Sequence, residues 1–216
     1  MGSIIVIASS KGGVGKTTLT TALAVNLAAL GYRIAAVDAD RNLALATWHK
    51  TAEAPALTCS VCIDHNEIVS HVMGSAEAHD VVLVDTAGFE NQTAIFAMGA
   101  ADIVLIPVMA DRNSVLEARK TARQVESVGK LSRRSIPFRL VMSRWNPKGL
   151  SERATLEDVE AANLPRLSSY LGDLVAYQKA TFSGTMPLTG LVGFQIDRII
   201  AELRGLDIIG AKGKAA

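Results

Sequence analysis

One ten-residue string decides most of what this chain can become. Ser9-Ser10-Lys11-Gly12-Gly13-Val14-Gly15-Lys16-Thr17-Thr18 follows an apolar run, Ile4-Ile5-Val6-Ile7-Ala8, and precedes a helical pattern over 16–30. Strand, glycine-rich loop, Gly-Lys-Thr and helix, in that order, are the parts of a phosphate-binding loop. Glycines at 12, 13 and 15 let the backbone turn several N–H groups inward, and the following helix adds its positive N-terminal end. Lys16 is then placed to reach β- and γ-phosphates, and the Thr17 hydroxyl to ligate Mg²⁺. A glycine-rich turn that binds nothing is the plainer alternative, but it does not account for all four parts occurring in sequence.

The rest of the chain supplies the scaffold such a loop needs. Short Val/Ile-rich runs near 3–8, 33–38, 57–62, 80–85, 102–107, 137–142 and 165–168 read as strands. Segments 16–30, 42–50, 65–74, 91–99, 111–128, 151–162, 173–181 and 190–204 read as helices. Val81-Val82-Leu83-Val84 and Ile103-Val104-Leu105-Ile106 are apolar at every position, so both faces are expected to be buried. The alternation predicts an α/β fold, a P-loop NTPase three-layer arrangement with a mostly parallel central sheet and helices on both faces. Its 216 residues suit one domain, 1–209, with 210–216 as a flexible C-terminal tail.

At its first position the loop carries Ser10 where the general pattern has glycine, and it adds a lysine at 11. The resulting KGGVGKTT is the deviant Walker A signature, and with it the chain resembles the ParA/MinD family of ATPases, closest to short ParA forms without an N-terminal helix-turn-helix domain. The resemblance implies an ATPase that forms a homodimer around two ATP molecules, with Lys11 reaching across to the partner's phosphates. A cation supplied in this way offsets charge that develops during phosphoryl transfer. A plain surface lysine is the alternative at 11.

Val37-Asp38-Ala39-Asp40 ends the second strand and matches the family's D-x-D motif. Strand-end carboxylates belong at the ligand-binding edge of such a sheet. The resemblance ties Asp40 to hydrolysis and sets Asp38 near the magnesium and the attacking water; helix capping by Asp40 is the structural alternative. The family continues with Pro-Gln, whereas this chain has Arg41-Asn42. The run Val81 to Val84 ends in Asp85-Thr86-Ala87-Gly88, a Walker B pattern whose carboxylate holds Mg²⁺ through water; a plain turn residue is the alternative at 85. Gly88 leaves the following loop free to respond to a γ-phosphate. The expected site is therefore Lys11, Lys16 and Asp40 for catalysis, Lys11 to Thr18 for the nucleotide, and Thr17, Asp38 and Asp85 for the metal. By resemblance a purine-contacting loop lies about Ser143 to Gly149, a plain exposed loop being the alternative for any one of its residues, and the choice of ATP over GTP rests on the family alone.

Charge matters through its distribution. The whole chain is +1, which excludes a bulk basic protein, yet 111–144 has nine basic and three acidic residues. Arg119, Lys120 and Arg123 on one helix, followed by Lys130, Arg133 and Arg134 in its loop, make a candidate stripe for DNA phosphates; a solvated helix face is the alternative. Nonspecific DNA binding by the ATP-bound dimer follows from the resemblance, as do slow unstimulated turnover and a ParB-like or other small DNA-binding protein that stimulates hydrolysis.

Cys59 and Cys62 stand alone, three apart on a strand, and read as buried apolar residues rather than ligands. The four histidines show no ligand spacing. In the last helical segment Leu191, Val192, Ile196, Ile199, Ile200 and Leu203 form an apolar stripe opposite a mixed polar face, Asp197, Arg198, Glu202 and Arg204. That face lacks the lysines of a membrane-surface helix, so packing on the core and no stable membrane association are expected. The reading is a cytoplasmic ParA-like ATPase, nucleoid-associated with ATP, that segregates or positions a plasmid, chromosome or other cargo. A MinD-like membrane ATPase, a metabolic or metal-carrier relative, and a nucleotide-dependent scaffold or filament with little hydrolysis are the rivals.

Overall fold

Strands that are apolar at successive positions need a cover on each side, and the chain provides two layers of helices. The computed structural model describes residues 1–52, 57–88 and 91–212. Its strands are β1 (Ser3–Ile7), β2 (Ile34–Ala39), β3 (Leu57–Val61), β4 (Val81–Thr86), β5 (Ile103–Val108), β6 (Phe138–Trp145) and β7 (Arg166–Gly172). Between and after them come α1 (Lys16–Ala29), α2 (Ala44–Thr51), α3 (Ile68–Ala78), α4 (Gln92–Ala100), α5 (Arg112–Leu131), α6 (Leu150–Ala161), α7 (Val175–Ser183) and α8 (Gly190–Gly205). The strands form one sheet in the order β3-β2-β4-β1-β5-β6-β7, with every pairing parallel.

Alternate side chains sort to the two faces. Ile4, Val6, Val82, Val84, Val104 and Ile106 pack against Val72 of α3, Met98 of α4, Val115 and Val125 of α5 and Val159 of α6. Ile5, Ile7, Ile34, Leu83, Ile103 and Leu105 face Leu19, Leu23 and Leu27 of α1, Trp48 of α2, Tyr177 of α7 and Ile196, Ile199 and Leu203 of α8. The order places β1 between β4 and β5, so the chain leaves β1 for a helix on one face while its neighbour β4 connects across to β5. The crevice above β1 is thus the switch point where ligands of such sheets bind.

The strands and helices lie near where the pattern placed them, but β7 runs on to Gly172 past 168 and α3 to Ala78 past 74; three further shifts are instructive. β6 continues through Trp145 instead of ending at 142, because Ser143 and Trp145 are buried. Met142 and Trp145 enter the same core although three residues apart, and the register breaks between them, with Arg144 at φ 50°. Helix α3 starts at Ile68 rather than 65, since the Asp64 carboxylate accepts the Asn66 N–H in a turn first. Helix α5 runs to Leu131, so Lys130 stands on the helix and not in the loop after it.

At the chain's far end, α8 lays Val192, Ile196, Ile199, Ile200 and Leu203 against the core, whereas Leu191 is exposed. No described helix is long and apolar enough to cross a membrane. Of the expected tail, Gly210 to Lys212 are described and gather round Tyr32. The Tyr32 hydroxyl donates to the Gly210 carbonyl at 2.6 Å and accepts the Lys212 N–H at 3.2 Å. Residues 213–216 lie outside the described residues.

Candidate functional site

The site grows from the carboxyl ends of β1, β2 and β4. Parallel register sets Asp38 of β2 beside Asp85 of β4, and Asp85 beside Ile7 of β1, from which the phosphate loop departs. Three adjacent strands therefore deliver the loop, the D-x-D segment and the Walker B carboxylate to one edge. Gly15 sits at φ 95°, a left-handed conformation that a side chain would strain, and a Cβ there would lie 2.7 Å from Ser143 Oγ. The loop thus turns into α1 directly against the end of β6.

Asp85 is 1% exposed. Thr17 Oγ1 donates to its Oδ2 at 2.6 Å, and its Oδ1 has no hydrogen-bond partner among the described residues. Burial, aided by the nearby Asp38 and Asp40 charges and opposed by Thr17 and Lys16, pushes the Asp85 carboxyl up to about 7. Lys16 is 8% exposed, and burial pulls its ammonium below its ordinary value against the attraction of Asp85 and Asp40. Its Nζ lies 3.5 Å from the Lys11 carbonyl. A buried cation, a buried carboxylate with one oxygen unused, and a threonine hydroxyl on the other oxygen fit a magnesium-bound phosphate chain. Among the described residues no group of three or more His, Cys, Asp or Glu side chains could hold a metal alone. A cation here would complete its shell with phosphate and water.

The raised Asp85 has a consequence for the protein free of nucleotide and divalent cation. Its unfolded carboxyl titrates near 3.9, so between about pH 4 and pH 7 the folded state retains a proton that the unfolded state has shed. Stability therefore falls as pH rises through that window. Asp85→Asn keeps the shape and can still accept from Thr17. It is expected to raise the thermal midpoint at pH 8 by roughly 5 °C or more and to change it little at pH 4. Equal shifts at both pH values in thermal scans would refute this account.

Asp38 and Asp40 divide the work of the D-x-D segment. Asp38 is fully buried, and its two oxygens accept the N–H groups of Asp40 at 3.1 Å and Ala46 at 2.9 Å. Burial raises its carboxyl above the usual range despite those bonds. Asp38 thereby fixes the turn that leads into α2. Asp40 is half-buried and accepts the Asn42 N–H at 2.9 Å, closing a local turn. It does not cap α2, which begins after Leu43 without a side-chain cap.

Lys11 is no free surface lysine in the single chain. Its Nζ lies 2.8 Å from both Asp111 oxygens and 2.9 Å from Ser114 Oγ. Asp111 caps α5 by accepting the Ser114 N–H at 2.8 Å. Burial alone would raise the Asp111 carboxyl, but the bonds from Lys11 and Ser114 outweigh it and hold it below the ordinary range. On the opposite flank Gly88 approaches closely, its absent Cβ only 3.4 Å from the Gly12 nitrogen. The glycine after Walker B serves this backbone contact; residues 89–90 lie outside the described residues.

Among the described residues, two of the larger cavities adjoin the loop. One, of about 290 Å³, is bordered by Gly15, Thr18, Ser143, Arg144, Gly172 and Asp173. Of the expected purine loop only Ser143 and Arg144 reach it. The β7–α7 turn, which the sequence reading did not assign, forms the other wall, and only its place after a strand end could have pointed to it. Gln195 Oε1 braces that wall, accepting the Gly172 N–H and the Tyr177 hydroxyl, each at 3.0 Å. The second cavity, of about 460 Å³, lies beyond Thr17 and Thr21 against Trp48 and Met186.

The expected DNA residues separate. Arg119, Lys120, Arg123 and Lys130 are exposed on α5, with Lys120 paired to Glu117 at 2.6 Å. Helical spacing puts Arg112, Arg119, Arg123 and Lys130 in one row of roughly 27 Å. Arg133 follows the helix with φ 54°, and Arg134 turns its guanidinium to the Ala101 carbonyl, away from that row. The two cysteines belong to opposite faces of the sheet, Cys62 in one core and Cys59 beside the other. Burial pushes the Cys59 thiol up to about 11, a poor ligand and nucleophile.

Comparison with known proteins bears on the family and the fold. Residues 5–188 match the family model described as the CobQ/CobB/MinD/ParA nucleotide binding domain. The chain is 28% identical over 183 residues to maintenance of carboxysome distribution protein A from Halothiobacillus neapolitanus, covering 83% of this chain and 84% of that one. It is 32% identical over 126 residues to protein ParA from Rhizobium radiobacter, covering 58% and 55%. Among solved structures, a Cyanothece McdA variant complexed with ATP superposes with a TM-score of 0.79 at 19% identity, covering 98% and 99% of the two chains. The septum site-determining protein MinD from Pyrococcus horikoshii, complexed with Mg-ADP, does so with 0.79 at 17% identity, covering 100% of both. The structural likenesses establish the fold.

Proposed function

We propose, from the premise that this chain belongs to the CobQ/CobB/MinD/ParA nucleotide-binding family, that it is a ParA-type positioning ATPase using ATP and Mg²⁺. The observation that carries this reading is the gathering of Lys11, Lys16, Thr17, Asp40 and Asp85 round the carboxyl ends of β1, β2 and β4. Gly12 to Thr18 would cradle the phosphates, and Lys16 would neutralise them from a buried position. Thr17 and the unused oxygen of Asp85 would hold the metal, which when bound supplies positive charge between β- and γ-phosphates. Asp38 would stay the organiser of the loop beside the metal, and Asp40 would orient the attacking water.

Lys11 would act in a face-to-face dimer, leaving Asp111 for the partner's phosphates. Slow turnover by the lone protein follows, because its cationic helper is engaged at home. The basic row on α5 would meet DNA backbone without reading sequence. A stimulating partner, a small DNA-binding protein, would then trigger hydrolysis and release. The burial of the α8 stripe favours this reading over a membrane-surface one. Cargo is a plasmid, a chromosome region or another large body.

Gel-shift titration of random-sequence duplex DNA with ATP, ADP and no nucleotide tests the switch. At least tenfold tighter binding with ATP is expected, falling steeply with added salt. Replacing Arg119 and Arg123 together by alanine is expected to remove most of the gain. Equal affinity under the three conditions would sink the proposal.

A further inference from the structure

The reading of Lys11 leaves the first residue of the loop without a part. Ser10 stands where the general loop has glycine, and its N–H and its hydroxyl both go to one side chain on α5. Its N–H donates to Thr121 Oγ1 at 3.1 Å, and its Oγ lies 3.0 Å from the same oxygen. Thr121 Oγ1 itself donates to the Glu117 carbonyl at 3.0 Å. A hydroxyl has one hydrogen and two lone pairs, so Ser10 must donate in both contacts, and the capacity of Thr121 is then filled. Thr121 is only 1% exposed, and Ser10 is partly buried over it.

Helix α5 therefore holds the loop by two neighbouring attachments of different kinds. Asp111 and Ser114 hold Lys11 by charge, which a phosphate can replace. Thr121 holds Ser10 by neutral hydrogen bonds; an anion could accept the same two donors, but taking them would leave the buried Thr121 oxygen without a donor. We propose that Thr121 is a positioning residue: it keeps Ser10 on α5 while Lys11 exchanges Asp111 for phosphate, so that Lys11 swings about a fixed point and its reach is set by the junction. This rests on the role given to Lys11 above.

The full chain with Thr121→Val, which keeps the shape and loses the hydroxyl, and with Thr121→Ser, which keeps the hydroxyl, tests it. Three quantities are read: exchange of the Ser10 amide by NMR without nucleotide, the Kd for Mg-ADP, and kcat and KM for ATP. For Thr121→Val the Ser10 amide is expected to exchange at least tenfold faster, kcat to fall at least tenfold, and the Mg-ADP Kd and the KM to stay within threefold. Thr121→Ser is expected to restore all to within twofold. The proposal is overturned by an unchanged kcat in Thr121→Val, by a loss of Mg-ADP affinity as large as the loss of kcat, or by Thr121→Ser failing alongside it. A wild-type protein that neither binds Mg-ADP nor turns over ATP overturns the ATPase reading and this role together, whereas normal turnover in wild type and in Thr121→Val overturns this role alone.

Discussion

Asp40→Ala is expected to lower ATP turnover by two to four orders of magnitude, the range for losing a residue that orients or deprotonates the attacking group, while ATP affinity stays within about threefold of wild type. The separation follows from where Asp40 stands. It takes no part in the phosphate loop, and its local bond is to the Asn42 N–H. The turn itself is held by Asp38, whose oxygens bind the Asp40 and Ala46 amides through backbone atoms that alanine retains. The variant should therefore keep the site's shape and lose one carboxylate. If hydrolysis is the release step, it should also remain dimeric on DNA after a chase with excess ADP, where wild type dissociates. Phosphate release and sedimentation on DNA measure the two effects. An Asp40→Ala protein with near-normal turnover, or one that cannot bind ATP, would remove Asp40 from the chemistry.

Lys16→Ala is expected to act earlier and more completely, reducing Mg-ADP affinity by roughly 100-fold or more and abolishing measurable turnover. Uncoupling a buried charge from its partner costs about 3–5 kcal/mol, and Lys16 is 8% exposed at the floor of the loop. Its ammonium already bears the cost of burial, shown by its lowered titration, so phosphate would compensate a cation that is desolvated beforehand. Isothermal titration with Mg-ADP, alongside a melting scan to establish folding, reads the effect. A folded variant that binds Mg-ADP normally would show that the phosphates lie elsewhere. Together the two variants divide binding from turnover.

What could be read from the sequence was what local chemistry controls. Strands such as β4 and β5, buried on both faces, are apolar at every core position and announce themselves. Asp38 and Asp85 end such runs, so their place at the sheet edge followed from the end of apolarity alone. The extension of β6 could not be read, because its bulge at Arg144 interrupts the alternation that marks a strand. The wall at Gly172 and Asp173 was equally hidden, since it becomes a wall only by facing Ser143 across a cavity. Lys11 with Asp111, and Ser10 with Thr121, are partners one hundred or more positions apart. No local pattern encodes such pairs, because each partner alone is an ordinary polar residue. Arg134 shows the converse: its charge counted toward a basic stripe, yet its guanidinium is turned to the Ala101 carbonyl.

The ion pair between Lys11 and Asp111 gives the lone subunit a sense of crowding. Its side chains are 24% and 39% exposed, so separating it costs on the order of 1 kcal/mol. In the proposed dimer two such pairs are given up at once, about 2 kcal/mol, which raises the subunit concentration needed for pairing by roughly thirtyfold. On that proposal a subunit released by hydrolysis would reclose its own pair without meeting another molecule, but would have to find a second body to open it again. The interval between leaving and rejoining a surface would then be set by local abundance, a delay that would grow where subunits are sparse and let their distribution carry information about position.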